Sequence, residues 1–497
     1  MLYVRLLFGM LVSLYTSRLV LNTLGVDDYG INNVVGGLVT MFSLISNSLS
    51  SAVSRFMTYE LGRDDMVRLK RVFTASLTIH VLLALTVVLL AETVGLWFLN
   101  THMTIPAERL GAAHVVFHST VAGFALTLIC VPYGAVITSH ERMGIFALFG
   151  ITDTILRLLV VLFLAFAPME FDKLKVYSLL ILSVVFIMQS ASVVFCRTHY
   201  EEARFRITFD RNYLKSIGSF AGWSFLGNSA WIINTQGLNI LMNIFFGVAV
   251  NAARGIAAQV EGVVTAFVNN FMTALNPQII KSYAAQDLDY MHSLVCRGAK
   301  FSYFMMFFFV VPLALEARQV LSIWLGTVPE HAVSFLRLTL LSSLTTVIAN
   351  SLVTAQLATG NIKKYQITVS FFGLWVFPLS YVAYKAGLPP EASYIIYFII
   401  YFGLIFVRIY LVKDMIMMPA KLYFKDVLLP VAIVSACSVI APVLVYFSMQ
   451  ETFLRLVTVC AVSVVSSLVC MYICGLKKSE RRFFREKIRS RLHLSVK

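Results

Sequence analysis

Residues 81–90 read VLLALTVVLL and are apolar on every face of a helix. About 14 such apolar stretches follow one another along the chain, each of roughly 20 residues, the length that spans a bilayer core about 30 Å thick. The period-2 alternation of a membrane β-barrel is absent, so each stretch must satisfy its own backbone hydrogen bonds as a helix. The sequence therefore predicts an all-α polytopic membrane protein with about 14 transmembrane helices.

The composition excludes a soluble globule. Of the 497 residues, 59% are hydrophobic and only 13% are charged, and no core of this size would hide so much apolar surface. The seven cysteines lack the spacing of metal ligands, and no Gly-x-x-x-x-Gly-Lys-Ser/Thr loop is present. We therefore expect no metal, no cofactor and no bound nucleotide.

Hydropathy along the chain gives the positions of the predicted spans. The first span is not expected to be a cleavable signal peptide. It has no charged lead and no small-residue cleavage site, and it runs directly into the second span. Met1 opens almost inside it, which suggests a start further upstream. The predicted spans are 2–24, 31–56, 72–99, 115–138, 145–167, 176–196, 219–247, 253–280, 299–324, 333–359, 365–386, 393–412, 427–449 and 452–475.

Lysine and arginine are concentrated in alternate loops. One set of loops carries residues such as Arg68, Arg206 and Lys364, whereas the other set offers little beyond Arg109 and Lys173. The positive-inside rule then places both termini in the cytoplasm. The same asymmetry accounts for the net charge of +15 without a nucleic-acid partner, and the basic tail suits contact with anionic membrane lipids.

An internal repeat divides the chain into two halves. Residues 30–42 align with 255–267, and seven of the thirteen positions are identical. Both copies fall at the head of the second helix of a half, which predicts two pseudo-symmetric six-helix lobes related by an axis along the membrane normal. The predicted domains are an N-terminal lobe with its linker (1–215), a C-terminal lobe (216–412), an additional helix pair (413–475) and a basic cytoplasmic tail (476–497).

Four segments carry a family resemblance: 24–37 (LGVDDYGINNVVGG), 51–56 (SAVSRF), 131–137 (VPYGAVI, followed by His140 and Glu141) and 276–284 (NPQIIKSYA). With them the chain resembles the Wzx-like bacterial polysaccharide or O-antigen flippases of the multidrug/oligosaccharidyl-lipid/polysaccharide (MOP, MATE-like) exporter superfamily. The likeness covers nearly the whole chain, and the ordered series is more specific than any one segment.

The resemblance implies a fold and a function. It implies two six-helix bundles in a V shape plus two C-terminal helices, and alternating access in the bacterial inner membrane. The implied cargo is an undecaprenyl-diphosphate-linked oligosaccharide, moved to the outer leaflet for polysaccharide or lipopolysaccharide biosynthesis. Such a protein is a transporter and not an enzyme, and we expect a monomeric transport unit that works beside polysaccharide polymerase machinery.

A diphosphate cargo calls for arginines in a wet cleft, and the first span holds two. A guanidinium at mid-bilayer depth costs about 2.5–3.5 kcal/mol, so it is expected to face water or a ligand. Arg18 lies mid-span, four residues before Asn22 and on the same helical face. Because guanidinium donors suit phosphate oxygens, Arg18 is the first candidate for the diphosphate. Arg5, nearer the cytoplasmic mouth, either joins it or only snorkels.

Three further arginines are candidate cavity residues, each with a structural alternative. Arg55 captures the diphosphate or serves only the positive-inside pattern. Arg254, with Glu261 two turns onward, lines the second lobe or forms an ion pair between bundles. Arg157 faces the cavity or is neutralised by Asp153 at i, i+4.

Amides are unusually frequent in the seventh span. A helix this polar must face water, sugar or other helices, and we assign it to the oligosaccharide surface. His114 and His118 also stand at i, i+4, but no third metal ligand is evident. The candidate sugar-facing residues are Asn22, Asn47, Asn228, Asn234, Gln236, Asn239, Glu261 and Asn269.

Two other classes of protein compete with this prediction. A cation-coupled multidrug exporter of the MATE type would share the fold, but it would be expected to bury carboxylates in its central helices. A membrane-embedded polymerase or ligase would usually carry a long outer loop or a convergent acid and base set, whereas the outer loops here are only about 4–15 residues. The exporter is therefore the alternative that we retain.

Overall fold

The computed structural model describes most of the chain. Within the described part every regular element is helical, and ten helices are long and apolar enough to cross a membrane. The all-α, multi-pass prediction is confirmed, while the count of 14 spans stays a prediction. The described residues are 8–9, 12, 15–16, 19–20, 23–25, 28, 31–32, 43–101, 105, 107–166, 171–204, 211–246, 248–325, 328–482 and 486.

The chain forms two compact units. Unit 1 comprises Met1–Asn228 and Ile280–Gln286, and unit 2 comprises Ser229–Ile279 and Asp287–Lys497. Unit 1 holds helices α1 (Ser43–Gly62), α2 (Met66–Thr101), α3 (Leu110–Ser139), α4 (Met143–Phe166), α5 (Lys173–His199) and most of α6 (Arg211–Ile232).

Unit 2 begins within the last turn of α6, and a π-helical turn at Ile233–Gly237 then joins α6 to α7. Two further π turns lie within α14, at Phe424–Leu428, and at the end of α15, at Met471–Gly475. Its helices are α7 (Leu238–Phe246), α8 (Val248–Ala284), α9 (Leu288–Leu315), α10 (Ala317–Leu325), α11 (Ala332–Thr359), α12 (Lys363–Lys385), α13 (Ala392–Met415), α14 (Ala420–Ser448) and α15 (Phe453–Gly475).

Local sequence explains where several of these helices begin and end. The side chains of Asp65, Asp172 and Asp287 accept backbone N–H bonds at the first turns of α2, α5 and α9, which satisfies donors that the helix leaves unpaired. Gly360 ends α11 with a φ of +77°, a conformation that costs glycine little. These caps fix the positions of the short loops between apolar spans.

Each unit has its own apolar core. In unit 1, Phe73 of α2 packs edge-on against Tyr133 of α3 with ring centroids 5.1 Å apart. In unit 2 the main cluster draws on α7, α8, α9, α11 and α13, with Phe335 and Tyr394 in contact. Large apolar side chains on the exterior, such as Phe447, are strongly exposed, as a hydrocarbon environment requires.

Helices α14 and α15 are integral to unit 2. They pack against each other and against α9. A Cβ added at Gly475 would meet the Phe304 ring at 2.6 Å, and the Tyr303 hydroxyl lies 2.8 Å from that of Ser435. The helix pair is therefore seated on α9 by close contacts along its length.

Candidate functional site

A polar cavity of about 140 Å³ lies inside unit 2. It is formed where the π turn after α6 meets α8, α11 and α13. Two side chains of opposite charge, Arg254 and Glu261, face it from α8, and the opposite wall carries hydroxyl groups. The lining residues are Asn234, Thr235, Leu238, Arg254, Glu261, Thr339, Ser342, Ser343, Thr346, Ser393, Tyr394 and Tyr397.

Arg254 is held by neutral partners. Its Nη2 donates to the Thr235 carbonyl at 3.1 Å, within the π turn whose irregular backbone ladder makes carbonyls available. Its guanidinium carbon lies 5.6 Å from the centroid of the Tyr394 ring. Arg254 has no ion pair with a described residue, so its positive charge is available to an anionic ligand.

Glu261 lies two helical turns from Arg254 on the same face of α8, about 10 Å along the axis. One carboxylate oxygen accepts a hydrogen bond from the Ser343 hydroxyl at 2.5 Å. Within the described part of the chain this carboxylate also lacks an ion-pair partner. The cavity thus separates a fixed positive charge from a carboxylate that accepts hydrogen bonds.

Asn234 adds an unsatisfied acceptor. The residue is 1% exposed and its amide nitrogen donates to the Gly373 carbonyl at 2.8 Å. Its side-chain oxygen has no hydrogen-bond partner among the described residues. Because a buried polar atom without a partner is costly, this oxygen is a natural acceptor for a ligand hydroxyl. The cavity can therefore bind a group that is anionic at one end and rich in hydroxyls at the other.

In unit 1, Arg55 is buried in an aromatic cage. Its guanidinium carbon lies 4.6 Å from the ring centroids of both Phe56 and Tyr59 and 5.9 Å from that of Phe220. Cation–π contacts of this kind stabilise a guanidinium away from bulk water. Only 7% of Arg55 is exposed, so a ligand would have to enter the cage to reach it.

Arg157 lines a second cavity of about 340 Å³, formed by α3, α4 and α5 of unit 1. Its Nε donates to Asp153 at 2.9 Å, the i, i+4 pair foreseen as the alternative. The two side chains keep 42% and 34% exposure. Arg157 is therefore both paired and open to the cavity, beside the polar side chains of Asn32 and Thr127.

Several predicted residues cannot be placed. Arg5, Arg18 and Asn22 lie outside the described residues. Asn47, Asn228 and Gln236 lie in helices, but their side chains are also outside the described part. Asn239 and Asn269 are described, on α7 and α8, and neither is among the residues that line the 140 Å³ cavity.

Sequence reasoning missed a cluster in unit 1, at the start of α3. Arg109 donates to Asp28, with Nε 2.8 Å from Oδ1, and to Asp172, with Nη1 2.9 Å from Oδ2. The pKa of Arg109 is raised above its ordinary value. Burial alone would lower it, but the hydrogen bonds and negative charges of the two aspartates outweigh that effect. The sequence contained little sign of these ion pairs. Asp28 was noted only as part of the family motif, and Arg109 only as a residue of a predicted outer loop.

The histidine pair makes separate contacts. His118 Nδ1 lies 2.9 Å from Glu92 Oε1, and His114 Nε2 lies 2.8 Å from Asn100 Oδ1. Within the described ranges, no three His, Cys, Asp or Glu side chains are arranged to hold a metal ion. These contacts give the pair a structural explanation.

With this geometry in hand, comparison of the structure with solved proteins identifies the fold as that of MATE-like transporters of the MOP superfamily. A multidrug resistance MATE family transporter in the outward-facing conformation superimposes with a TM-score of 0.72 and 13% identity, over 84% of this chain and 94% of that one. A MATE mutant gives a TM-score of 0.72 and 14% identity, over 84% and 95%. At these identities the likeness shows the fold alone.

A MOP superfamily transporter from Pyrococcus furiosus also superimposes, with a TM-score of 0.69 and 14% identity over 84% of this chain and 95% of that one. For that protein, a binding pocket of reversed polarity has been taken to suggest a different function. No protein-family model matches the sequence. The uncharacterized membrane protein EpsK of Bacillus subtilis is 26% identical over 164 residues, which is 33% of this chain and 32% of EpsK.

Proposed function

We propose that this protein is a membrane transporter that moves an undecaprenyl-diphosphate-linked oligosaccharide from the cytoplasmic to the outer leaflet by alternating access. The observation that carries the proposal is the cavity of unit 2. In this cavity Arg254, which has no ion-pair partner among the described residues, can bind an anionic group. The unsatisfied side-chain oxygen of Asn234 can accept a hydrogen bond from a hydroxyl. The MATE-like fold supports transport, and the sequence resemblance supports the glycolipid cargo.

The chemistry of the cavity fits part of such a cargo. A guanidinium binds phosphate oxygens with charge-assisted hydrogen bonds, and amides and hydroxyls bind sugar hydroxyls. A volume of about 140 Å³ is small for an oligosaccharide, so it accommodates one end group. The proposed setting is the bacterial inner membrane, with both termini cytoplasmic and a polysaccharide polymerase as the next component.

The experiment is depletion of the protein in its host, followed by measurement of lipid-linked oligosaccharide on each face of the membrane. We expect the glycolipid to accumulate on the cytoplasmic face. Arg254→Gln should reproduce that accumulation, whereas Arg68→Gln, which alters an exposed arginine outside the cavity, should not. Normal export by Arg254→Gln would remove this cavity from the proposed path, and Arg18→Ala tests the first span in the same way.

Glu261 favours a second candidate, a cation-coupled multidrug exporter. Such an exporter is expected to bury a carboxylate in a central helix, and Glu261 meets that expectation with a hydrogen bond from Ser343. The two candidates differ in the effect of Glu261→Gln. If the protein is an exporter, cells with this variant should lose resistance to cationic drugs. If it is a glycolipid flippase, their drug sensitivity should stay unchanged and their polymer output should change.

A further inference from the structure

A third polar cavity, of about 240 Å³, lies where the residues that follow α15 return to α9. We call it the tail pocket and define it by Cys296, Arg297 and Lys300 of α9, Asp426 of the π turn in α14, and Lys477 and Glu480 of the tail. It belongs to unit 2 and shares no lining residue with the cavity of Arg254. Its cationic residues lie on the side that the charge pattern assigns to the cytoplasm.

The carboxylate of Glu480 occupies this pocket. Its Oε2 lies 2.6 Å from Lys300 Nζ and accepts the backbone N–H of Lys477 at 2.8 Å. Its Oε1 lies 3.7 Å from Arg297 Nε. Lys300 is 1% exposed and Glu480 is 6% exposed, so the ion pair is withdrawn from water.

The other acids around the pocket do not compete for Lys300. Asp426 is engaged by the ammonium of Lys477 at 2.5 Å, and Asp289 stands exposed at the rim. Glu480 is therefore the anion that balances the buried ammonium. Without it, Lys300 would be a desolvated charge in need of another anion.

The donors that surround Glu480 are those that bind phosphate in proteins. A lysine ammonium, an arginine guanidinium and a backbone N–H converge on one anion position. The cavity volume of about 240 Å³ leaves room for a phosphate group.

We propose that the tail pocket is an anion site that Glu480 fills in the absence of a ligand, and that the phosphate of an anionic lipid in the cytoplasmic leaflet competes with Glu480 for Lys300 and Arg297. The lipid is favoured over soluble phosphate because the tail from Lys477 onward is rich in lysine and arginine, and such segments are attracted to anionic membrane surfaces. Displacement of Glu480 releases the tail toward that surface. The proposal does not depend on the transported cargo.

Cys296 reports on the pocket. The residue lines it and is only 5% exposed, so its thiol should react with a maleimide mainly when the tail has left. The experiment uses the full chain with the other six cysteines replaced by serine, in nanodiscs of phosphatidylglycerol or of phosphatidylcholine. We expect labelling of Cys296 to be several-fold faster in phosphatidylglycerol.

Variants locate the effect. In Glu480→Gln, Cys296 should be labelled rapidly in both lipids, because the ion pair is lost. The rate should be on the order of tenfold higher than that of the protein with Glu480 in phosphatidylcholine. Glu486→Gln is the matched control, since Glu486 pairs with Arg482 on an exposed part of the tail, and it should keep the lipid dependence. Lys300→Met should abolish the lipid dependence, because the cation that would bind the phosphate is gone.

Two outcomes would overturn the proposal. Equal labelling of the unmodified tail in the two lipids would show that Glu480 is a permanent structural anchor. Equal acceleration by inorganic phosphate added to phosphatidylcholine nanodiscs would show that the ligand is a soluble anion. The comparison of the two lipids is made on the protein that keeps Glu480, Lys300 and Arg297. It therefore tests whether lipid displaces Glu480 even if Glu480→Gln fails to fold.

Discussion

Glu316 and Arg455 form a buried ion pair that fastens α15 to the junction of α9 and α10. Arg455 Nε and Nη2 lie 2.9 and 3.0 Å from the two carboxylate oxygens, and the guanidinium carbon lies 4.5 Å from the Tyr446 ring centroid. The Arg455 side chain is 9% exposed and the Glu316 side chain is 0% exposed. Since Glu316 is out of water, it depends on Arg455 for compensation, whereas Arg455 also approaches Glu451 at 3.9 Å.

Removing one partner should therefore be costly. We expect Arg455→Met to lower the free energy of unfolding by about 3–5 kcal/mol, because Glu316 is left buried and unpaired. The measurement is the melting temperature of the purified protein in detergent. The double variant Glu316→Leu with Arg455→Met should recover much of the loss, and a single variant as stable as the parent would contradict the argument.

Glu391 makes a pH-dependent contribution to stability in the loop between α12 and α13. Burial raises the pKa of its carboxyl, but hydrogen bonds from His331 at 2.6 Å and Ser334 at 2.7 Å outweigh it and lower the pKa below its ordinary value of 4.5. A lowered pKa stabilises the fold above pH 4.5, and this contribution is lost as the pH falls through the shifted value.

Melting temperatures between neutral pH and about pH 3 test this expectation. The parent protein should lose more stability below pH 4.5 than Glu391→Gln, which has no proton to take up at that position. Glu108→Gln is the control, because Glu108 is an exposed carboxylate away from His331 and should leave the profile unchanged. Parallel profiles for all three proteins would show that the contact with His331 contributes nothing.

At the residue scale, the sequence predicted contacts within a helix better than contacts between helices. The Asp153–Arg157 pair was foreseen, and Arg254 and Glu261 were placed together, because helical spacing is readable from the chain. The partners of Arg455 and Lys300 lie 139 and 180 residues away, and no local pattern connects them. Arg18, the first candidate for the diphosphate, lies outside the described residues and remains a prediction.

At the element scale, Gly62 at the end of α1 marks a close approach to α8. A Cβ built there would lie 2.8 Å from the Lys281 Cα and 2.9 Å from its carbonyl oxygen. Both neighbours are backbone atoms, so the helices themselves would have to separate. The nearby ion pair between Lys281 and Glu141, 2.8 Å long, depends on the same placement of α8.

We expect Gly62→Ala to destabilise the protein by about 1–3 kcal/mol through overpacking. Gly134→Ala is the matched control, because a Cβ at Gly134 meets nothing within 4 Å and alanine favours the helix. Thermal unfolding in detergent compares the two variants. A Gly62→Ala protein that melts no lower than Gly134→Ala would disprove the close approach.

Hydropathy located most elements but not their interruptions. The predicted span 393–412 corresponds to α13 (Ala392–Met415), whereas the predicted span 299–324 is divided between α9 and α10 at Glu316. The predicted span 219–247 is likewise interrupted by the π turn Ile233–Gly237. A hydropathy average over a window of about 11–18 residues smooths over a break of a few residues, so it cannot detect these interruptions.

At the scale of the whole molecule, an inside-negative potential should assist the proposed transport. A diphosphate with about two negative charges gains roughly 2.3 kcal/mol per charge per 100 mV on moving outward. We expect a potassium diffusion potential of that sign across proteoliposomes to accelerate outward movement of a fluorescent lipid-linked oligosaccharide. The opposite potential should slow it, and a rate independent of potential would mean that no net charge crosses.

The Glu316–Arg455 pair also sets an order of events during biosynthesis. Glu316 emerges from the ribosome 139 residues before Arg455, and at about 20 residues per second at most, the interval is roughly 7 s. Throughout that time Glu316 lacks Arg455, so the buried ion pair of unit 2 cannot form. Completion of unit 2 is thus tied to translation of α15, and a ribosome stalled before that helix would leave an insertion intermediate for quality-control proteases.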